Sequence, residues 1–274
     1  MQPLSQMKRR LYLVGLIVLF FCLFPIVIFY AIGYRFKTGL GFVQMGGIYV
    51  SVPYSDASVV LDSRKIGTSN ILNHGFYIAN LIPGVYTLHV DRPDTRPWGR
   101  TIVVEPQLVT DVRALLVPQK IELVRLVDTK VATTSERALS HTEYLRYSAA
   151  LRLPAATTSA SSLAGEKVVV EKGNVFVRWS LPDAPPPSYF CTRPSSCALE
   201  IAIEQGGDTA TSAVFFGSGI VYRTEEGGVF FREAEVRPTA VALAIYPKYG
   251  ADFRIIDGHL VVKDGAALLE VENL

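Results

Sequence analysis

Apolar and polar residues are spaced in different ways along the chain, and each spacing predicts a different element. From Leu11 to Tyr34 there is no charged residue, and within Leu11–Ile32 only Gly15 and Pro25 interrupt aliphatic, aromatic and cysteine side chains. A helix over that run rises about 33 Å at 1.5 Å per residue, enough for the hydrocarbon core of a bilayer. Pro25 would break a soluble helix, but lipid forces the backbone to bond internally and tolerates a kink. Tyr12 at one end and Tyr30, Tyr34 and Phe36 at the other suit the aromatic belts of the two interfaces.

The flanks orient this segment. Lys8, Arg9 and Arg10 precede it, while Arg35 and Lys37 follow and no further charge occurs before Asp56. The positive-inside rule then predicts a cytoplasmic tail over 1–10, a transmembrane helix over 11–33 and an extracytoplasmic remainder. The rival is a cleaved signal peptide with Ala31-Ile32-Gly33 as its small-residue site, although the apolar run is longer than a signal h-region. Phe20 and Phe21 before Cys22 do not fit a lipoprotein signal.

Over 46–118 the spacing changes to short alternating or β-branched runs. Ile48–Val52, Ser58–Asp62, Phe76–Leu81, Val85–Val90, Thr101–Val104 and Val109–Val117 read as strands. Pro53, Asp56, Gly67, Asn73-His74-Gly75 and Pro83-Gly84 break them. Six short strands without helical period predict a small antiparallel sandwich.

Residues 119–165 read as a helical segment and linker. Ser135 is the expected N-cap of a helix whose face would carry Ala138, Thr142, Leu145 and Ala149, and Pro154–Ser162 has the composition of a flexible loop. Strand patterning returns over 166–274. Val168–Val170 with Val175–Trp179, Gly219–Arg223 with Val229–Arg232, and Phe253–Ile256 with His259–Val262 each read as hairpins; Asp257-Gly258 between two alternating runs is a strong turn signal. Such hairpins occur in β-propeller blades, but this length holds only two or three. An open sheet, a compact sandwich or a propeller-like remnant is expected. The fold class is therefore mainly β: an N-terminal transmembrane helix, a small sandwich and a second β-rich domain.

Composition narrows the chemistry. With 49% hydrophobic residues, 19% charged and a net charge of +2 in 274 residues, the chain is too apolar for disorder and too weakly basic for a nucleic-acid binder. Outside the first ten residues, 24 basic residues face 25 acidic ones, so the expected ectodomain is almost neutral. Four histidines and three cysteines leave little material for a metal site, and no cofactor is expected. No HExxH, Walker, Rossmann or nucleophile-elbow motif occurs; Phe216 stands where an elbow at Gly217-Ser218-Gly219 would need glycine.

The segment Asp91–Arg100 carries Arg92, Arg96, Trp98 and Arg100, which could stack on and pair with an anionic glycan. The alternative is a proline-stiffened loop with Trp98 plugging the sandwich and its charges solvated. Cys191 and Cys197 could close a small disulfide loop, worth about 2 kcal/mol of chain entropy in an oxidising compartment, or form part of a metal pair. Glu225-Glu226 and Glu233/Glu235 could serve as acid–base pairs but read as solvated carboxylates. His141 beside Glu143 reads as a solvated pair, and His74, His89 and His259 stand apart from any acid cluster.

The stretches Gly47–Pro53, Ala57–Asp62 and Ile66–Thr68, followed by Leu81–Val90 and Pro97–Val104, resemble the two halves of a PEGA domain. The resemblance covers about a quarter of the chain. It departs in its loops: Ser63 stands where a turn glycine is usual, Thr68 is not followed by proline, and Asp94-Thr95-Arg96 replaces Gly-Tyr. It implies a β-sandwich module of bacterial envelope proteins, without catalytic residues.

Two functional readings follow. One is a non-enzymatic, single-pass envelope protein, N-terminus inside, whose β-domains contact cell-wall polymer, a surface layer or another envelope protein. The other is an extracytoplasmic enzyme acting on glycan or peptide through a site too scattered to recognise. A concave pocket with converging titratable groups is expected only of the second.

Overall fold

The computed structural model describes residues 6–39, 41–129, 136–153, 158–160, 165–204, 209–238 and 240–274. The charge-free run lies in helix α1 (Gln6–Ala31), which starts ahead of it and carries Pro25 inside. From Met7 to Ala31 the helix is exposed rather than buried against protein, and it is long and apolar enough to cross a membrane. Gly33, at φ 87°, takes the left-handed conformation that ends a helix, and its N–H bonds back to the Tyr30 carbonyl. Strands β1 (Tyr34–Lys37) and β2 (Gly41–Gln44) then form an antiparallel hairpin directly at the helix end.

The sandwich is built from β3 (Gly46–Ser51), β4 (Ser58–Leu61), β5 (Arg64–Thr68), β6 (Gly75–Leu81), β7 (Gly84–Asp91), β8 (Trp98–Val104) and β9 (Val109–Arg113). One sheet has the order β6-β3-β9, with β3 and β9 parallel; the other has the order β5-β4-β7-β8. Period-two alternation sorts the faces. Ile48 and Val50, Val59 and Leu61, Leu88 and Val90, and Ile102 and Val104 are buried between the sheets, while Tyr49, Thr87 and His89 face out. Gly46 has no room for a side chain, because a Cβ there would strike the Glu105 carbonyl and Val104. That close approach lets Met45 join the helix end to the sandwich. Its N–H donates to the Gly33 carbonyl at 3.1 Å, and its carbonyl accepts from the Gln107 N–H at 2.9 Å.

Beyond the sandwich come β10 (Leu123–Asp128), β11 (Arg137–Leu139), α2 (His141–Ala150), β12 (Thr158–Ala160), β13 (Glu166–Glu171) and β14 (Asn174–Trp179). A short hairpin of β15 (Cys191–Arg193) and β16 (Ser196–Cys197) leads to β17 (Glu200–Glu204). The rest comprises β18 (Ala210–Phe216), β19 (Gly219–Thr224), β20 (Gly227–Glu233), β21 (Ala242–Tyr249), β22 (Asp252–Ile256), β23 (His259–Asp264) and β24 (Ala267–Val271). They form three larger sheets, ordered β12-β13-β14-β17, β18-β19-β20-β21 and β11-β10-β24-β23-β22. Two-residue turns at Lys172-Gly173 and Asp257-Gly258 have positive φ at both positions, the geometry that matches strand twist.

The three sheets stack, so their strands are apolar on both faces. Val168, Val177 and Ile201 of the first meet Ala213, Ile220 and Tyr222 of the second. Val221, Val229 and Phe231, on the opposite face of the second, share a core with Leu260 and Val262 of the third and with the sandwich interior. The outer face of the third carries Leu126, Ile256, Val261 and Leu268, which α2 covers with Tyr147 and Leu151.

Two features differ from the sequence expectation. Residues 137–139 form β11, paired parallel to β10, and the helix begins only at His141 with Ser140 as its N-cap. Ser135 lies outside the described residues. A full capping box decides the start: the Glu143 N–H donates to the Ser140 hydroxyl oxygen, and the Ser140 N–H donates to the Glu143 carboxylate. Rotation of the helix then exposes Leu145 and buries Tyr147, so the expected face is not the packed one. In the expected linker at 154–162, residues 158–160 pair with β13, and the others lie outside the described residues.

The Glu143 carboxyl is held below the usual carboxylate range, first by the Ser140 side chain and then by the Ser140 N–H. A lowered acid stabilises the fold above its unfolded value, and that support is lost as pH falls through its folded value. Hydrogen exchange at residues 143–147, taken relative to the intrinsic rate at each pH, should therefore accelerate below about pH 4. Ser140→Ala should accelerate it at neutral pH by about 1 kcal/mol of local stability. Unchanged exchange in both tests would show that the box does not hold α2.

Candidate functional site

The site grows from the far end of β8. Trp98, Arg100, Ile102 and Val104 share the inward face of that strand, so alternation carries a guanidinium into the core. Arg100 is 2% exposed. A lone buried cation would cost several kcal/mol, and β20 supplies the counter-ion: Glu233 forms an ion pair with Arg100, accepts from Trp98 Nε1 at 3.0 Å and accepts from the Val241 N–H at 3.2 Å. The guanidinium also lies 4.8 Å from the Trp98 ring centroid. Burial lowers the Arg100 pKa to about 10, with Glu235 opposing the drop and Arg237 adding to it; the group is still a cation at neutral pH.

Directly after β20, Glu235 accepts a two-pronged pair from Arg237 Nε and Nη2, both at 2.8 Å, and a third bond from the Arg237 N–H at 3.0 Å. Both side chains are buried. On β13, buried Glu166 accepts from the Tyr189 hydroxyl at 2.5 Å. Burial, then that bond, pushes the Tyr189 phenol above its ordinary value, so it remains a protonated donor. The Val236 N–H donates to the Tyr189 carbonyl at 3.0 Å, tying the two groups together.

Glu166, Tyr189, Glu233, Glu235 and Arg237 line one side of a cleft of about 620 Å³ between the sandwich and the sheets beyond it, with Trp98 and Arg100 behind that wall. The opposite wall is the outer face of the β6-β3-β9 sheet, where Tyr49 and Ser51 of β3 stand beside Asp111 and Arg113 of β9. Ser188, Phe215 and Ser218 complete the rim. Titratable groups do converge here, but the three buried carboxylates are each held by an internal donor. What faces the space is mainly hydroxyl, aromatic ring and the exposed Asp111 and Arg113. Among the described residues, no three His, Cys, Asp or Glu side chains come together as a metal site.

The four residues singled out in the Asp91–Arg100 segment are divided. Arg92 and Arg96 are exposed, with Arg92 5.7 Å from the Tyr54 ring centroid, whereas Trp98 and Arg100 point into the core. They do not form a single surface, and Arg100 is not solvated as the loop reading had it. The loop is stiff: Thr95 donates twice to the Arg92 carbonyl, and the Arg96 N–H donates to the Val117 carbonyl at 2.8 Å.

Glu233 and Glu235 correct the expectation of solvated carboxylates, while Glu225 and Glu226 do form a turn. His141 pairs with Asp128 at 2.5 Å rather than with Glu143, and His259 pairs with buried Glu270 at 2.7 Å. Cys191 and Cys197 are at disulfide distance across the β15–β16 hairpin. Ser195 at its tip donates through N–H and hydroxyl to Glu105 of the sandwich, at 2.9 and 2.8 Å. No protein-family model and no curated protein matches the chain.

Arg100→Met or Glu233→Met alone should lower unfolding stability by about 3–5 kcal/mol, because each strands a buried charge. The double replacement Arg100→Met/Glu233→Met should cost much less than the sum of the single changes. Urea unfolding of the detergent-solubilised protein checks this. Additive effects would mean that the two residues are not coupled.

Proposed function

We propose that this is a single-pass, membrane-anchored, non-enzymatic protein of the cell envelope, whose cleft holds cell-surface polymer. The observation that carries the reading is the internal pairing of Glu166, Glu233 and Glu235. A carboxylate fixed by a buried guanidinium is a poor proton shuttle, since protonation would break the pair that allows its burial. The remaining walls suit a hydroxyl-rich ligand: Tyr49 offers a ring to a sugar face, and Ser51, Asp111, Arg113 and Ser218 offer hydrogen bonds.

The location rests on α1, with Lys8, Arg9 and Arg10 on the inner side, and on Cys191 and Cys197 at disulfide distance, since such pairs persist in oxidising compartments. The two-sheet arrangement over 46–113 supports a PEGA-like module next to the anchor. A glycan- or peptide-acting enzyme is the second reading, and the converging titratable groups of the cleft favour it.

Titration of the full-length protein in micelles with soluble peptidoglycan fragments should show binding without turnover. Tyr49→Ala and Arg113→Ala should each weaken it about tenfold. Shortened fragments detected by mass spectrometry would replace this reading with the enzymatic one. Heat signals equal to the buffer blank would remove the polymer from the proposal.

A further inference from the structure

Hairpin β1–β2 is the part of the protein that neither the sandwich nor the cleft uses, and its two faces differ sharply. Tyr34 and Phe36 alternate with Arg35 and Lys37, and register places Phe42 directly across from Phe36. Phe36 and Phe42 are 69% and 70% exposed, with their rings 5.5 Å apart and edge to face. A two-stranded hairpin does not place large rings in water without a reason.

The aromatic face is not isolated. Phe29, on the last turns of α1, is 5.5 Å from the Tyr34 ring and 6.4 Å from the Phe42 ring. The hairpin thus folds back beside the helix and extends its apolar surface sideways. The Tyr34 and Phe42 rings thus stand beside Phe29, which lies inside the charge-free run. Arg35 covers the helix end, donating to the Tyr30 and Tyr34 carbonyls at 2.8 and 3.0 Å with its guanidinium 3.6 Å from the Tyr30 ring centroid. Behind it is a hollow of about 570 Å³ against the β6-β3-β9 sheet. Arg35, Tyr77, Asn80 and Gln107 are among its polar lining groups, and among the described residues no carboxylate lines it.

We propose that β1–β2 is a second membrane contact, seated in the headgroup layer of the leaflet from which α1 emerges and selective for anionic phospholipid. The proposal rests on α1 crossing the bilayer. Phe36 and Phe42 enter the glycerol and upper acyl region as an aromatic wedge. Lys37 and Arg35, with no acid on the hairpin to cancel them, meet lipid phosphates. The Met45–Gly33 and Gln107–Ile32 bonds would pass this fixed orientation to the sandwich.

The test places a tryptophan at Phe42→Trp, or deep in α1 at Phe20→Trp, in the full chain reconstituted with doxyl-labelled lipids. Fluorescence is read as the difference from the parent protein. The expected result is quenching of F20W by a label deep in the acyl chain and of F42W by a shallow label. Adding phosphatidylglycerol to phosphatidylcholine should strengthen the shallow quenching, and Lys37→Gln should reduce that lipid preference about fivefold. A quenched F20W with an unquenched F42W overturns the interfacial hairpin and leaves the anchor standing. If neither is quenched, the anchor reading fails and the hairpin proposal fails with it. Shallow quenching that is equal in both lipids overturns the anionic selectivity.

Discussion

A buried cation must meet a buried anion, and in this protein the two come from opposite halves of the chain. Arg100 belongs to the sandwich and Glu233 to the second stacked sheet, and each is almost free of solvent. Neither half could bury its charge alone without a penalty of several kcal/mol. The pair therefore fixes which end of β8 meets which end of β20, a register that the apolar packing beside it leaves open. Apolar contacts such as those of the core shared by Val221, Phe231, Val117 and Leu115 are non-directional, whereas the bond from Trp98 Nε1 to the same carboxylate is directional. The cleft is the space left once that register is set, and its carboxylates are ordered by the same neighbours.

Most of the fold was legible because its signals are local. The charge-free run, the Asp257-Gly258 turn and the period-two strands each lie within ten to thirty consecutive residues. The buried charges were hidden for a different reason. With β8 begun at Thr101, Arg100 falls in a loop; begun at Trp98, as the structure has it, Arg100 is in phase with Ile102 and Val104 and must face inward. Glu233 is likewise in phase with Val229 and Phe231 along β20, so alternation marks it as core-facing, whereas Glu235 lies beyond the strand, where alternation does not apply. What no local pattern could supply was the partner of Glu233, which lies over a hundred residues away, whereas Glu235 pairs within its own segment with Arg237.

The middle of the chain was the least legible part. β10 carries only Leu126 as a fully buried residue, and its place is set by pairing with β24 near the C-terminus. Such long-range pairing leaves no local signature. It also sets α2: the helix is too short to be stable by itself, and its packed face follows from where the third sheet needs cover. Tyr147 and Leu151 meet that need, whereas the face chosen on helical spacing through Leu145 turns to solvent.

The same reasoning links the two regions proposed to meet other phases. At the cleft, the buried carboxylates are paired internally and the walls add hydroxyls, an aromatic ring and the exposed Asp111 and Arg113; at the helix–sandwich junction, Arg35 and Lys37 share their hairpin with no acid and Phe36 and Phe42 are exposed. A surface whose charges are already satisfied gains specificity from shape and hydroxyl geometry, so it suits a polymer met in water. A surface with unbalanced positive charge beside exposed aromatic rings gains from a phase that is apolar and anionic within a few ångströms, and a phospholipid leaflet has that structure. The distribution of charged and aromatic groups, more than any single residue, is what distinguishes the proposed polymer-binding face from the proposed membrane-seating face.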